Sequence, residues 1–78
     1  MHAGRLDGSG SAARVYRYLR ERGDWVDAWE LTMACQTTAL STRVSEIRHQ
    51  LGPGEAVEAR QVGRRWYYRI AGQLALGV

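Results

Sequence analysis

The 78-residue chain has no lysine, one cysteine and no apolar run approaching the roughly 18 residues of a membrane span. Each absence narrows what the protein can be. A lone cysteine, Cys35, cannot close an internal disulfide. The two histidines, His2 and His49, lie far apart, and no Cys/His group has metal-ligand spacing. No metal and no cofactor is therefore expected. The core must come from apolar packing, which is marginal at this chain length. The opening stretch "MHAGRLDGSGS" lacks the hydrophobic segment of a secretory signal. With one reduced cysteine, this points to the cytoplasm. Enzyme signatures are missing too. There is no Gly-rich phosphate loop before a helix, no Ser-His-Asp set and no carboxylate pair with a pocket to hold it. The expectation is a protein that is not an enzyme and takes no small-molecule substrate.

What the chain does have is arginine, and it is unevenly placed. In residues 1–42, Arg5, Arg14, Arg17, Arg20 and Arg22 cancel Asp7, Glu21, Asp24, Asp27 and Glu30. In residues 43–78, Arg43, Arg48, Arg60, Arg64, Arg65 and Arg69 face only Glu46, Glu55 and Glu58, which leaves the whole net charge of +3 in this half. A basic, aromatic-containing segment at one end fits phosphate contact, and it also fits an ordinary solvated face.

The apolar spacing predicts three helices and then a hairpin. The first helix starts near Ser9 or Ser11, either of which can cap it. It buries Ala12, Val15, Tyr16 and Leu19 and stops at Gly23. Asp27 reads as the cap of a second helix from Ala28 to about Cys35, with Glu30 at capping-box spacing. Cys35 and Gln36 make a tight turn. Thr37 or Thr38 then caps a third helix within "TTALSTRVSEIRHQLG", residues 37–52, which ends at Gly52, Pro53 and Gly54. Leu40, Val44, Ile47 and Leu51 form its apolar stripe. Thr38, Thr42, Ser45, Glu46 and His49 lie opposite. "AVEAR" and "RRWYYRI" then alternate as strands, joined by "QVGR". The alternation turns Trp66, Tyr68 and Ile70 inward and Arg65, Tyr67 and Arg69 outward. Trp25, Trp29, Trp66 and Tyr68 are expected in the core, because a domain this small needs large side chains there. Cys35 is expected to be a buried small hydrophobe. Residues 1–10 are expected to be disordered, and 71–78 form a mildly apolar tail around Leu74 and Leu76.

This order of elements resembles a winged helix-turn-helix domain, an α+β fold of three helices followed by a two-stranded wing. The resemblance covers roughly residues 11–70. It is strongest to small winged helix-turn-helix domains common in bacteria and bacteriophages. A helix like "STRVSEIRHQLG" leads there into a strand like "VEAR", a Gly turn and an Arg-aromatic strand like "GRRWYYRI". Where many such domains carry a glycine between helices two and three, this one has "CQTT". The resemblance implies that the third helix enters the DNA major groove and that the wing touches backbone or minor groove. It thereby assigns Thr37, Thr38, Ser41, Thr42, Arg43, Ser45, Arg48 and His49 to base edges or phosphates, and Arg60, Arg64 and Arg65 to the wing.

The residue types suit that chemistry. Short hydroxyl side chains near a helix N-terminus let the backbone approach the groove floor. The partial positive charge of that terminus favours phosphate. Arg43 is placed to pair with guanine, Arg48 and His49 with phosphate further along. Glu46 fits least, and an intrahelical pairing with Arg43 or Gln50 accounts for it best. The partner implied is double-stranded DNA, bound by a small transcriptional or phage-type regulator, with a homodimer or partner protein enlarging the interface. Two other classes remain open: a winged helix that binds only protein, and a single-strand or RNA binder using Tyr67 and the wing arginines.

Overall fold

A computed structural model describes residues 10–72. The first helix, α1, runs Ser11–Arg22. Its apolar stripe, at helical spacing, buries Ala12, Ala13, Val15 and Leu19. Gly23 takes the left-handed conformation at φ 68° and donates its N–H to the Leu19 carbonyl at 3.1 Å, which closes the helix. No serine caps the other end: the cap position is Gly10, without a side-chain bond, and Ser11 is already helical. Ser9, the other expected cap, lies outside the described residues, as do the expected disordered segment up to residue 9 and the tail from residue 73.

Helix α2 spans Ala28–Cys35, as its cap predicts: the Asp27 carboxylate accepts from the Trp29 N–H at 2.7 Å. The capping box is not completed. Glu30 turns instead to α1, where it receives the Tyr18 hydroxyl and the Arg22 guanidinium. The turn after α2 rests on Gln36, the one non-glycine residue with positive φ among the described residues (54°). A left-handed conformation costs an L-residue about 1–2 kcal/mol, and glycine avoids most of it at the expense of a more flexible unfolded chain. Gln36→Gly is therefore expected to stabilise the domain by about 0.5–1 kcal/mol. A higher urea midpoint at unchanged slope would show it.

Helix α3 spans Leu40–Gln50, beginning later than "TT" suggests. Neither Thr37 nor Thr38 caps it: Ala39 holds the cap position with no side-chain bond. The Thr37 hydroxyl accepts from the Ala39 N–H at 3.4 Å within the turn. Val44 and Ile47 are buried, and Leu40 and Leu51 flank the core.

The sheet has three antiparallel strands in the order β1-β3-β2, where the sequence predicts two. The third, β1, is the short stretch Val26–Asp27 between the first two helices. β2 is Glu55–Val62 and β3 is Arg65–Gly72, so the last strand continues two residues past Ile70. Gly63 and Arg64 form the two-residue turn between them. Only Gly63 has positive φ there (62°), the signature of a II′ turn with glycine first. The register sets Val57 opposite Ile70, Ala59 opposite Tyr68 and Gln61 opposite Trp66 on one face, with Val26 also opposite Tyr68. The other face carries Glu58 opposite Arg69 and Arg60 opposite Tyr67, with Asp27 also opposite Tyr67.

Helices cover the first face, and the core forms where Leu19, Leu31, Ile47, Val15 and Val26 meet. Tyr68 and Ile70 pack against it. The three tryptophans do not join it, contrary to the sequence reading. Trp29 is 71% exposed and Trp66 45%. Trp25 lies half-buried on the outer face, with the guanidinium carbons of Arg60 and Arg69 at 4.8 and 4.6 Å from its ring centre. Among the described residues no helix is long and apolar enough to cross a membrane.

Candidate nucleic-acid interface

The outward side of α3 is built from small polar residues because Val44 and Ile47 consume its inward side. Ser41, Thr42, Ser45 and His49 are all exposed, and so is Thr38 in the preceding turn. The helix starts with neither a side-chain cap nor an acid in its first turn. Its leading amides and partial positive charge are therefore not masked by a carboxylate of its own. α2 shows the opposite arrangement, with Asp27 at its cap and Glu30 in its first turn.

The expected site residues do not all share this surface. Thr37 is buried, at 6% exposure, and its hydroxyl serves the turn. Arg43 lies along the helix and pairs with Glu46 at 3.2 Å, the intrahelical pairing expected for that acid. The pair is incompletely satisfied: Arg43 Nε and Glu46 Oε1 are buried without a hydrogen-bond partner. A better partner for the guanidinium would therefore displace little. Arg48 is exposed but donates from Nη2 to the Val57 carbonyl at 3.2 Å, tying α3 to β2. Arg60 is on the hairpin, yet on the outer face over Trp25, away from the side that α3 covers. Arg64 and Arg65 stand at the hairpin turn. Arg65 reaches Asp27 at 3.3 Å with its side chain 73% exposed.

Pairing decides which charges are available. In residues 40–72 every carboxylate is matched by an arginine: Glu46 by Arg43, Glu55 by Arg20 at 2.8 Å, and Glu58 by Arg69 at 2.6 Å. Arg48, Arg60 and Arg64 are left without an ion pair among the described residues. The surplus charge of the second half is carried by these three, and Arg64 at the turn is the one with neither a carbonyl nor a ring to hold it.

The hairpin turn lies beside the first turn of α2, and together they frame an open groove of about 440 Å³ between Trp29 and Trp66. The sequence reading misses this groove because it assigns every tryptophan to the core. The signal that could have revealed it is the shortness of α2, whose eight residues can present only one face inward.

Among the described residues no group of His, Cys, Asp and Glu is arranged to hold a metal ion. Cys35 is 3% exposed, and burial pushes its thiol above the usual range despite the opposing influence of Arg14. It is held as the thiol, not as the nucleophilic thiolate. No known family model, curated protein or solved structure matches the chain. Its functional reading rests on its own geometry.

Proposed function

We propose that the chain is a winged helix-turn-helix domain that binds double-stranded DNA sequence-specifically, as a small transcriptional or phage-type regulatory protein. In this reading α3 enters the major groove and the β2–β3 hairpin is the wing on backbone or minor groove. The observation that carries it is the outward side of α3: short hydroxyl side chains at an uncapped helix start, with the neighbouring carboxylate of Glu46 already occupied by Arg43. The unpaired Arg64 at a glycine turn adds a cation suited to phosphate or to a narrow minor groove. A single domain of this size offers an interface of about 600–1,000 Å², so a dimer or a second protein completes useful affinity.

Titration with duplex DNA is expected to shift the amide signals of residues 38–49 and 63–65. Unmoved amides with both random and genomic duplexes at low salt would overturn the reading. Arg64→Ala is expected to weaken binding to all sequences and reduce the slope of log K against log salt by about 0.9. Arg65→Ala should reduce it less, since Asp27 already neutralises part of that charge. Glu46→Gln frees Arg43 and removes a carboxylate from the groove. Affinity for unrelated duplexes is expected to rise several-fold while discrimination between sequences falls, measured by competition anisotropy. Selection from a random duplex pool gives the site, and a palindromic result reveals a dimer.

The exposed Trp29, Met33 and Trp66 favour a second reading, a winged helix that binds protein alone. A complex that survives nuclease and high salt, with no duplex binding, would establish it instead.

A further inference from the structure

Four large apolar side chains contribute nothing to the core and stand in solvent, and two of them, Trp29 and Trp66, line the groove between α2 and the hairpin. Trp29 is 71% exposed, Met33 one turn further along α2 is 61%, Val62 before the hairpin turn is 53%, and Trp66 after it is 45%. None belongs to the core cluster or packs against it. A domain with so little core keeps such side chains outside at a cost in solubility. Tryptophan, methionine and arginine together are the composition enriched at protein interfaces. The groove's volume of about 440 Å³ lies within the range of sites that enclose a few side-chain-sized groups.

The charges around the groove say what fits it. Asp27 and Glu30 both line it. Asp27 already occupies the Trp29 amide at the start of α2 and holds Arg65, while Glu30 is held by Tyr18 and Arg22. A nucleic-acid strand would bring a phosphate with every nucleotide against two carboxylates and would find that amide taken. A peptide needs only one negative group, and Arg64 on the rim has no ion pair to give up.

We propose that this groove is a docking site for a short segment of another protein in which one or two large apolar side chains neighbour an aspartate or glutamate. The apolar side chains lie between Trp29 and Trp66, and the carboxylate meets Arg64. Arg64 then serves two partners, so occupation of the groove opposes duplex binding, and by linkage the duplex opposes the peptide. This antagonism rests on the DNA reading; the docking itself does not.

The test is selection of a phage-displayed random peptide library on the full chain, followed by anisotropy with the synthesised consensus peptide. The expected consensus places a large apolar residue within two positions of an acid. Trp29→Ala, at a solvent-facing position, is expected to weaken the peptide at least about tenfold while the circular dichroism spectrum is unchanged. Arg64→Ala is expected to weaken it as well. Failure to enrich any sequence, a consensus without acids, or binding indifferent to Trp29→Ala would overturn the proposal. Displacement of the peptide by a ten-residue oligothymidylate, with Trp29-dependent fluorescence quenching, would also overturn it and assign the groove to single strands. Added peptide is expected to weaken duplex binding by the parent chain and not by Trp29→Ala. A chain that binds peptide as described but no duplex at all would remove the DNA reading and leave the docking site standing.

Discussion

Combining Ser41→Glu with Thr42→Glu is expected to leave the melting temperature unchanged or slightly raised while duplex affinity falls about a hundredfold or more. The two effects have opposite signs because they draw on different properties of the same turn. α3 begins with no side-chain cap and no acid in its first turn, and positions 41 and 42 are exposed. Carboxylates there complement the helix dipole, each worth about 0.3–1 kcal/mol at low salt. The fold therefore gains. A DNA groove responds the other way. Removing a hydroxyl that hydrogen-bonds a base edge costs roughly 1–3 kcal/mol, and each new carboxylate faces phosphates. Two such penalties of about 1.4 kcal/mol already make a factor of a hundred. Thermal melting and anisotropy with a duplex selected from a random pool measure the two quantities separately. A raised melting temperature with unaltered affinity would remove α3 from the interface.

Leu31→Ala is expected to lower the melting temperature by about 12–24 °C, the shift that roughly 3 kcal/mol produces in a domain of this size. Leu31 is fully buried, and of the eight residues of α2 only Leu31 and Cys35 are counted in the core. Leu31 is the larger of these two apolar anchors, beside the polar ties of Glu30 to Tyr18 and Arg22. A Leu→Ala change in a core costs about 2–5 kcal/mol, against a total of about 4–12 kcal/mol for a chain of this length. Trp29→Ala on the same helix removes a larger side chain yet should cost well under 1 kcal/mol, because its surface is not withdrawn from water. Should Trp29→Ala melt lower than Leu31→Ala, the assignment of inside and outside on α2 would be reversed.

That contrast shows what sequence patterns report. The Asp27 cap located the start of α2, and periodicity located the inward stripe of α3, because Val44 and Ile47 must share a side for any core to form. It located the hairpin for the same reason, and the glycine of "QVGR" marked its turn. Periodicity reports side and not depth. Trp66 is on the core-facing side of β3, opposite Gln61, but next to the hairpin turn, where it borders the groove and not the core. Trp25 is displaced to the outer face because Val26 takes the inner one. The site was legible to a similar extent. Helical spacing placed Thr38, Thr42, Ser45 and His49 outward, and all four are exposed. It could not show that Thr37 is consumed by the turn, or that Arg48 is tied to the Val57 carbonyl and Arg60 stacked on Trp25. The fates of Arg48 and Arg60 depend on partners elsewhere along the chain, and that of Thr37 on the geometry of a turn that helical spacing does not describe. Glu30 is the same lesson at a cap: the local box lost to Tyr18 and Arg22 on α1.

The strand order also bears on how the chain is made. β3 lies in the middle of the sheet, yet it follows every other described element in sequence. During synthesis the three helices and β2 leave the ribosome before the strand that joins β2 to β1. Until then β1 has no partner, and the edge of β2 that will meet β3 stands open, the kind of edge that other chains can pair with. The pairing of Val26 with Tyr68 then closes a long loop of chain in one late step. A chain that ends before Arg65 would have its helices and no way to finish its sheet. Such fragments are expected to be cleared by proteolysis rather than to accumulate.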